Sequence, residues 1–77
     1  MILANGKIGS VYKVEDIRLE EAITRRLQVL GLTKGTSVEL LNKKRNGSVI
    51  FKVRGTRFAI GSEVAQGIMI GGGEDER

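Results

Sequence analysis

The sequence predicts a mainly β fold with one α-helix, an α+β domain built as a small five-stranded barrel. Three observations carry this. A single stretch, Leu19 to Gly35, has the apolar spacing of an amphipathic helix. The segments before and after it are short, rich in β-branched residues and punctuated by glycine turns. The chain has 77 residues, 40% of them hydrophobic, which suits one small domain. Five short strands are too few for a sandwich. A strongly curved barrel buries their inward faces, removes sheet edges and leaves an opening for the helix to plug.

The first strand is expected from Ile8 to Val14, after the Asn5-Gly6 turn signal. Val11 and Val14 are out of alternation, which predicts a bulge near Tyr12-Lys13. Glu15-Asp16 should break the strand, and Asp16 should cap the helix. Within the helix, Leu19, Ala22, Ile23, Leu27 and Leu30 form the apolar stripe. Glu20 and Glu21 come early and Arg25 and Arg26 late, as the helix dipole favours. Gly31 ends the helix, because glycine takes the left-handed conformation a helix stop requires. With Leu30 as the C-cap, Leu27 and Leu32 occupy the positions that touch in a Schellman stop. Gly35 turns the chain again.

Ser37 to Lys43 reads as the second strand, with Val38 and Leu40 on one face. Asn46-Gly47 predicts a type I′ hairpin turn. The third strand, Ser48 to Val53, points Val49, Phe51 and Val53 inward. Gly55 makes a second tight turn with a neighbouring residue, and Arg57 to Ile60 follows as the fourth strand, Phe58 and Ile60 inward. Ser62 is placed to cap a single helical turn that Gly67 ends. Ile68 to Ile70 is the closing strand. The domain thus spans residues 1–70, and 71–77, glycine-rich and acidic, reads as a disordered tail.

Composition removes several function classes. There is no histidine and no cysteine. Thiolate and imidazole metal sites are therefore excluded, as are disulfides and the commonest general base. No cofactor site and no metal site is expected. No stretch reaches the ~20 apolar residues that span a bilayer. Met1 to Ala4 runs at once into Asn5-Gly6-Lys7, with no signal-peptide apolar region, so a cytoplasmic protein is expected. Gly31 to Ser37 lacks the order of a phosphate loop, since Lys34 precedes Gly35 and a helix comes first. Glu20 and Glu21 are neighbours on a helix and cannot face one substrate together. No catalytic constellation emerges, and a non-enzymatic role is expected.

The formal charge is +4, from 13 basic and 9 acidic residues, and Glu74, Asp75 and Glu76 lie at the very end. The body of the domain therefore favours an anionic partner surface, although lysine and arginine also simply solvate small domains. Two surfaces stand out. Arg25, Arg26, Leu32 and Lys34 gather at the Gly31 corner and suit a protein interface of apolar residues rimmed by cations. Lys43, Lys44 and Arg45 project from a hairpin and suit nucleic acid. Stacking platforms are scarce: both phenylalanines point inward, and Tyr12 is the one aromatic left for an outward position.

The order of signals resembles the ferrous iron transport protein A (FeoA) family. Gly6 to Val14 matches the opening strand, and Arg26-Leu27-Gln28-Val29-Leu30-Gly31-Leu32-Thr33-Lys34-Gly35 is similar to the family's Arg-Leu-x-x-Leu-Gly-(Leu/Ile/Met)-x-x-Gly signature. Phe58 to Ile70 is similar to its strand, Glu-x-Ala turn and last strand. The match departs at Asn46-Gly47-Ser48, where many members carry proline, and at Ile60 and Gly61. The resemblance implies an SH3-like barrel. It also implies an accessory role in ferrous iron uptake, through binding the membrane transporter that carries a cytosolic GTP-binding domain. A basic nucleic-acid-binding module is the competing expectation.

Overall fold

A computed structural model describes residues 1–72; Gly71, expected to open the tail, belongs to the last strand, and the expectation for the tail beyond Gly72 lies outside the described residues. Five antiparallel strands form one sheet: β1 (Val11–Ile17), β2 (Ser37–Lys43), β3 (Val49–Val53), β4 (Thr56–Ile60) and β5 (Ile68–Gly71). Their order is β4-β3-β2-β1-β5. Helix α1 (Glu21–Val29) joins β1 to β2, and the single-turn-scale helix α2 (Ser62–Gln66) joins β4 to β5. The mainly β, SH3-like class is as expected. Closure is not: β4 and β5 do not pair, and the barrel stays open between them.

The core follows from alternation along the strands. Tyr12 and Val14 of β1, Val38 and Leu40 of β2, and Val49, Phe51 and Val53 of β3 all turn inward and are buried. Ile68 and Ile70 of β5 join them, with Leu27, Leu32 and Ala65 from the helical segments. Phe58 packs on Phe51, ring centroids 5.9 Å apart and tilted by 38°.

β1 differs from expectation. It begins at Val11 and runs on through Glu15-Asp16 to Ile17. The register against β5 slips between Val14 and Asp16, so the bulge is at Glu15 and not at Tyr12-Lys13. A bulge lets two acidic residues stay in a strand because their side chains leave the core face. Tyr12 is accordingly inward and 1% exposed, with its hydroxyl accepting the Lys7 N–H at 2.8 Å. β2 carries a second slip, at Leu41.

The hairpins exchange roles. Within the loop from Lys44 to Ser48 that joins β2 to β3, the tight turn is three residues, Arg45-Asn46-Gly47. The Gly47 N–H donates to the Lys44 carbonyl at 3.0 Å, and the Lys44 N–H to the Ser48 carbonyl at 2.8 Å. Gly47 alone is left-handed, at φ +91°. Asn46 instead uses its side-chain oxygen to accept the Ser48 N–H at 3.0 Å. The type I′ geometry appears in the β3–β4 turn, where Arg54 and Gly55 have φ of +53° and +82°.

The caps also correct the sequence reading. Asp16 lies in β1, and the α1 N-cap is Glu20, with no side-chain cap bond. Ser62 is the first residue of α2 and Gly61 its cap. Gly67 ends α2 with φ −95°, so left-handed freedom is not its purpose. A Cβ there would fall 2.7 Å from the Leu19 Cγ and 2.9 Å from the Arg18 carbonyl oxygen. Gly67 is needed for close approach. The N-terminal residues were given no role in advance, yet Leu3 is fully buried in a short 3-10 turn, Leu3–Asn5.

Gly67→Ala forces this contact apart, and overpacking of this kind costs ~1–3 kcal/mol. The thermal midpoint of the variant is expected to fall by at least ~4 °C; an unchanged midpoint in a melting scan would reject the close-approach argument.

Candidate partner-binding surface

The surface is built outward from the end of α1. The Leu32 N–H donates to the Leu27 carbonyl and the Gly31 N–H to the Gln28 carbonyl, each at 2.9 Å. This is the Schellman pattern, and Gly31 provides the left-handed residue at φ +100°. Leu27 and Leu32 point inward from the two sides of the stop and are 6% and 1% exposed. A second corner follows. The Gly35 N–H donates to the Val14 carbonyl at 2.8 Å, and the Val14 N–H to the Thr36 carbonyl at 2.9 Å. The chain therefore re-enters the sheet beside β1 within five residues of leaving the helix.

Arg54, at the β3–β4 turn, lies over this stop. Its Cδ is 3.4 Å from the place a Cβ on Gly31 would occupy. A guanidinium at a helix C-terminus is electrostatically favoured. Lys34 is held by Asp16, Nζ to Oδ1 3.5 Å, and Asp16 also accepts from the Arg18 Nε at 3.2 Å. The Arg18 hydrogen bond, the Ile17 N–H and the nearby Lys34 charge together hold the Asp16 carboxyl below its ordinary 3.8.

Between α1 and the β4–α2 corner runs an apolar groove of about 300 Å³. Ile23, Leu27 and Leu30 form one wall with Arg26 at its rim, and Ala59, Ile60, Gly61 and Val64 form the other. The groove exists because α1 does not plug the barrel. Of the expected stripe only Leu27 is fully buried; Leu19 and Ile23 are half-buried, and Ala22 and Leu30 are exposed. Beyond the groove Val29 stands 81% exposed.

The expected interface residues divide on inspection. Arg26 is exposed and faces the groove. Arg25 is exposed but engaged, its Nη2 2.7 Å from Glu21 Oε2 one turn back. Leu32 is in the core and is not available to a partner, because the Schellman stop turns it inward. Lys34 is exposed and clasped to Asp16. Gly31 and Gly35, with φ of +100° and +87°, are structural turns as expected. Of the hairpin cations, Lys43 donates its Nζ to the Gly6 carbonyl at 2.8 Å, while Lys44 and Arg45 project into solvent. With Tyr12 and Phe51 buried and Phe58 half-buried, no exposed aromatic platform accompanies them among the described residues. The far wall of the groove, Ala59 to Val64, was not singled out by sequence. Its residues carry no distinctive chemistry, and only the fold brings them opposite Ile23 and Leu30.

Similarity to known proteins decides the family. The FeoA domain model matches residues 1–71. The chain belongs to the FeoA family. Solved structures agree. The solution structure of the FeoA protein from Chlorobium tepidum has a TM-score of 0.84 at 28% identity, covering 91% of this chain and 68% of that one. A crystal structure of an iron uptake regulatory protein (FeoA) has a TM-score of 0.80 at 30% identity, covering 91% and 92%. The Stenotrophomonas maltophilia FeoA, complexed with zinc and described as a unique procaryotic SH3 domain protein, has a TM-score of 0.79 at 30% identity, covering 92% and 89%. The manganese regulator SloR shares the fold, at 19% identity. No curated protein matches the chain. The zinc belongs to the Stenotrophomonas maltophilia structure. Here there is no histidine or cysteine, and among the described residues no three acidic side chains converge to hold a metal ion. No described helix is long and apolar enough to cross a membrane.

Two predictions follow from this geometry. Gly31→Val places a β-branched residue at φ +100°, a cost of at least ~1–2 kcal/mol, and should lower the thermal midpoint with no change in the sheet's circular dichroism. An unaltered midpoint would reject the helix-stop account. Because Asp16 is depressed in the folded state, its contribution is present above its ordinary value and is lost as pH falls through the lower folded one. Carbon-detected NMR of the Asp16 carboxyl should therefore give a midpoint below 3.8, and that midpoint should rise in Arg18→Ala. A midpoint at or above 3.8 in the native protein would contradict the clasp.

Proposed function

We propose that the chain is a non-enzymatic accessory factor of ferrous iron uptake. In this reading it docks in the cytoplasm on the membrane ferrous iron transporter, at or beside its GTP-binding domain, and modulates transport. Membership of the FeoA family over residues 1–71 supports it. So do relatives described as an iron uptake regulatory protein and as a candidate ferrous iron transport activating factor. The observation that carries it in this molecule is the apolar groove beside α1, rimmed by Arg26. An open apolar surface with a cation at its edge is the make-up of a protein interface. The docking residues are Ile23, Arg26, Leu30 and Val64 of the groove.

A shift titration of the labelled protein with the transporter's GTP-binding domain, and separately with a mixed single-stranded RNA, tests this. The domain should perturb Ile23, Arg26, Leu30 and Val64, and Arg26→Glu should weaken binding about tenfold, ~1.4 kcal/mol. RNA-induced shifts at Lys44 and Arg45, without any response to the transporter domain, would replace this reading with the nucleic-acid one.

A further inference from the structure

The sheet has two outer strands, and they are treated differently. The outer edge of β5 is occupied by the chain's own start. The Ile70 N–H donates to the Met1 carbonyl at 2.7 Å, the Met1 amino group donates to the Ile70 carbonyl at 3.0 Å, and Ile2 bridges Met69. β4 has β3 on one side and, among the described residues, nothing hydrogen-bonded on the other.

Which groups of β4 are free follows from the turn. Arg54-Gly55 is a two-residue type I′ loop, so Val53 and Thr56 form the hydrogen-bonded pair that closes it. Hydrogen-bonded pairs then alternate, at Phe51 with Phe58 and at Val49 with Ile60. The N–H and C=O groups of Arg57 and Ala59 therefore point away from β3. Among the described residues no backbone or side-chain group takes them. The residues themselves are exposed. Ala59 and Ile60 also form the wall of the groove facing α1, so free ladder groups and apolar pocket adjoin.

We infer that this edge binds an extended segment of a protein partner by strand addition, with apolar residues on one face of the segment and acidic residues on the other. The apolar side chains share the face of Ile60 and enter the groove against Ile23 and Leu27. The acidic ones share the outward face of Arg57, whose direct neighbour across the ladder is Lys52. Lys52 is balanced from its other side by Glu39 of β2, Nζ to Oε1 3.8 Å, which leaves Arg57 as the cation at the outer edge, and an added acidic strand supplies its anion. At about 300 Å³ the groove lies at the lower limit of ligand sites and takes one or two anchoring side chains, while the edge takes the backbone. The same charge disfavours a second copy as the occupant, since edge-to-edge pairing would bring Arg57 of both chains onto one face. The inference rests on the docking reading above and adds the mode and chemistry of what docks.

The test uses an acetylated and amidated heptapeptide, Asp-Val-Glu-Leu-Glu-Val-Asp, and its counterpart N-methylated at alternate residues. The parent should shift the Arg57 and Ala59 amides downfield and slow their exchange with solvent. N-methylation, which keeps every side chain and removes the ladder donors, should cost at least tenfold in affinity. Ala59→Pro should do the same from the protein side, because the lost N–H faces outward and the β3 ladder is untouched. No binding of the parent peptide, equal binding of the methylated one, or edge shifts that depend on protein concentration without peptide would each overturn the inference. Titrating Ala59→Pro with the transporter's GTP-binding domain separates the two claims. Unchanged binding there would remove strand addition and keep the transporter as partner. Peptide binding at β4 with no response to the domain would keep strand addition and remove that partner.

Discussion

The helix stop at Gly31 is the constraint from which the rest of the molecule is arranged. Two hydrogen bonds of 2.9 Å and one left-handed glycine reverse the chain there. The reversal turns Leu27 and Leu32 into the core and lets Gly35 and Thr36 pair with Val14 five residues later. Those residues start β2 in register with β1, and the meander through β3 and β4 follows from that register. Arg54 then returns from the far hairpin to lie over Gly31. A non-glycine residue at φ +53° is uncommon, and here the strained turn carries a cation to the negative end of α1.

The same stop explains why the barrel is open. α1 is anchored at its C-terminal end, by Leu27, and its remaining apolar residues are half-buried, as Ile23 is, or exposed, as Ala22, Val29 and Leu30 are. It stands beside the β4–α2 corner and leaves the groove between them unfilled. A fully seated helix would bury Ile23 and Leu30 and erase the groove. Apolar burial is worth ~25 cal/mol per Å², so leaving these side chains uncovered forgoes stability that a small domain has little of. Surface kept open at that cost is the physical ground for the docking role proposed above.

Much of the fold was legible in the sequence where a residue type has one dominant use. Gly31 with Leu27 and Leu32 announced the helix stop, and alternation of Val49, Phe51 and Val53 announced β3. The failures have physical causes. Glu15-Asp16 were expected to end β1, but a bulge at Glu15 and the Arg18 and Lys34 partners of Asp16 let acidic residues continue a strand. Asn46-Gly47 was expected to be the type I′ turn, but the Asn46 side-chain oxygen accepts the Ser48 N–H, and Arg54-Gly55 takes that geometry instead. Leu32 was expected both to touch Leu27 at the helix stop and to serve an interface; the stop turns it into the core, so the first holds and the second does not. The open edge of β4 left no mark in the sequence at all, since Arg57 and Ala59 expose backbone groups that every residue has.

Hydrogen exchange of the free protein, read amide by amide along β4, tests the account most directly. An open barrel with a vacant edge predicts alternation: slow exchange at Thr56, Phe58 and Ile60, whose N–H groups face β3, and fast exchange at Arg57 and Ala59. Uniform protection along the strand would mean that α1 or a second chain already covers this edge. The groove would then be closed, and the docking surface described above would not exist in the free molecule.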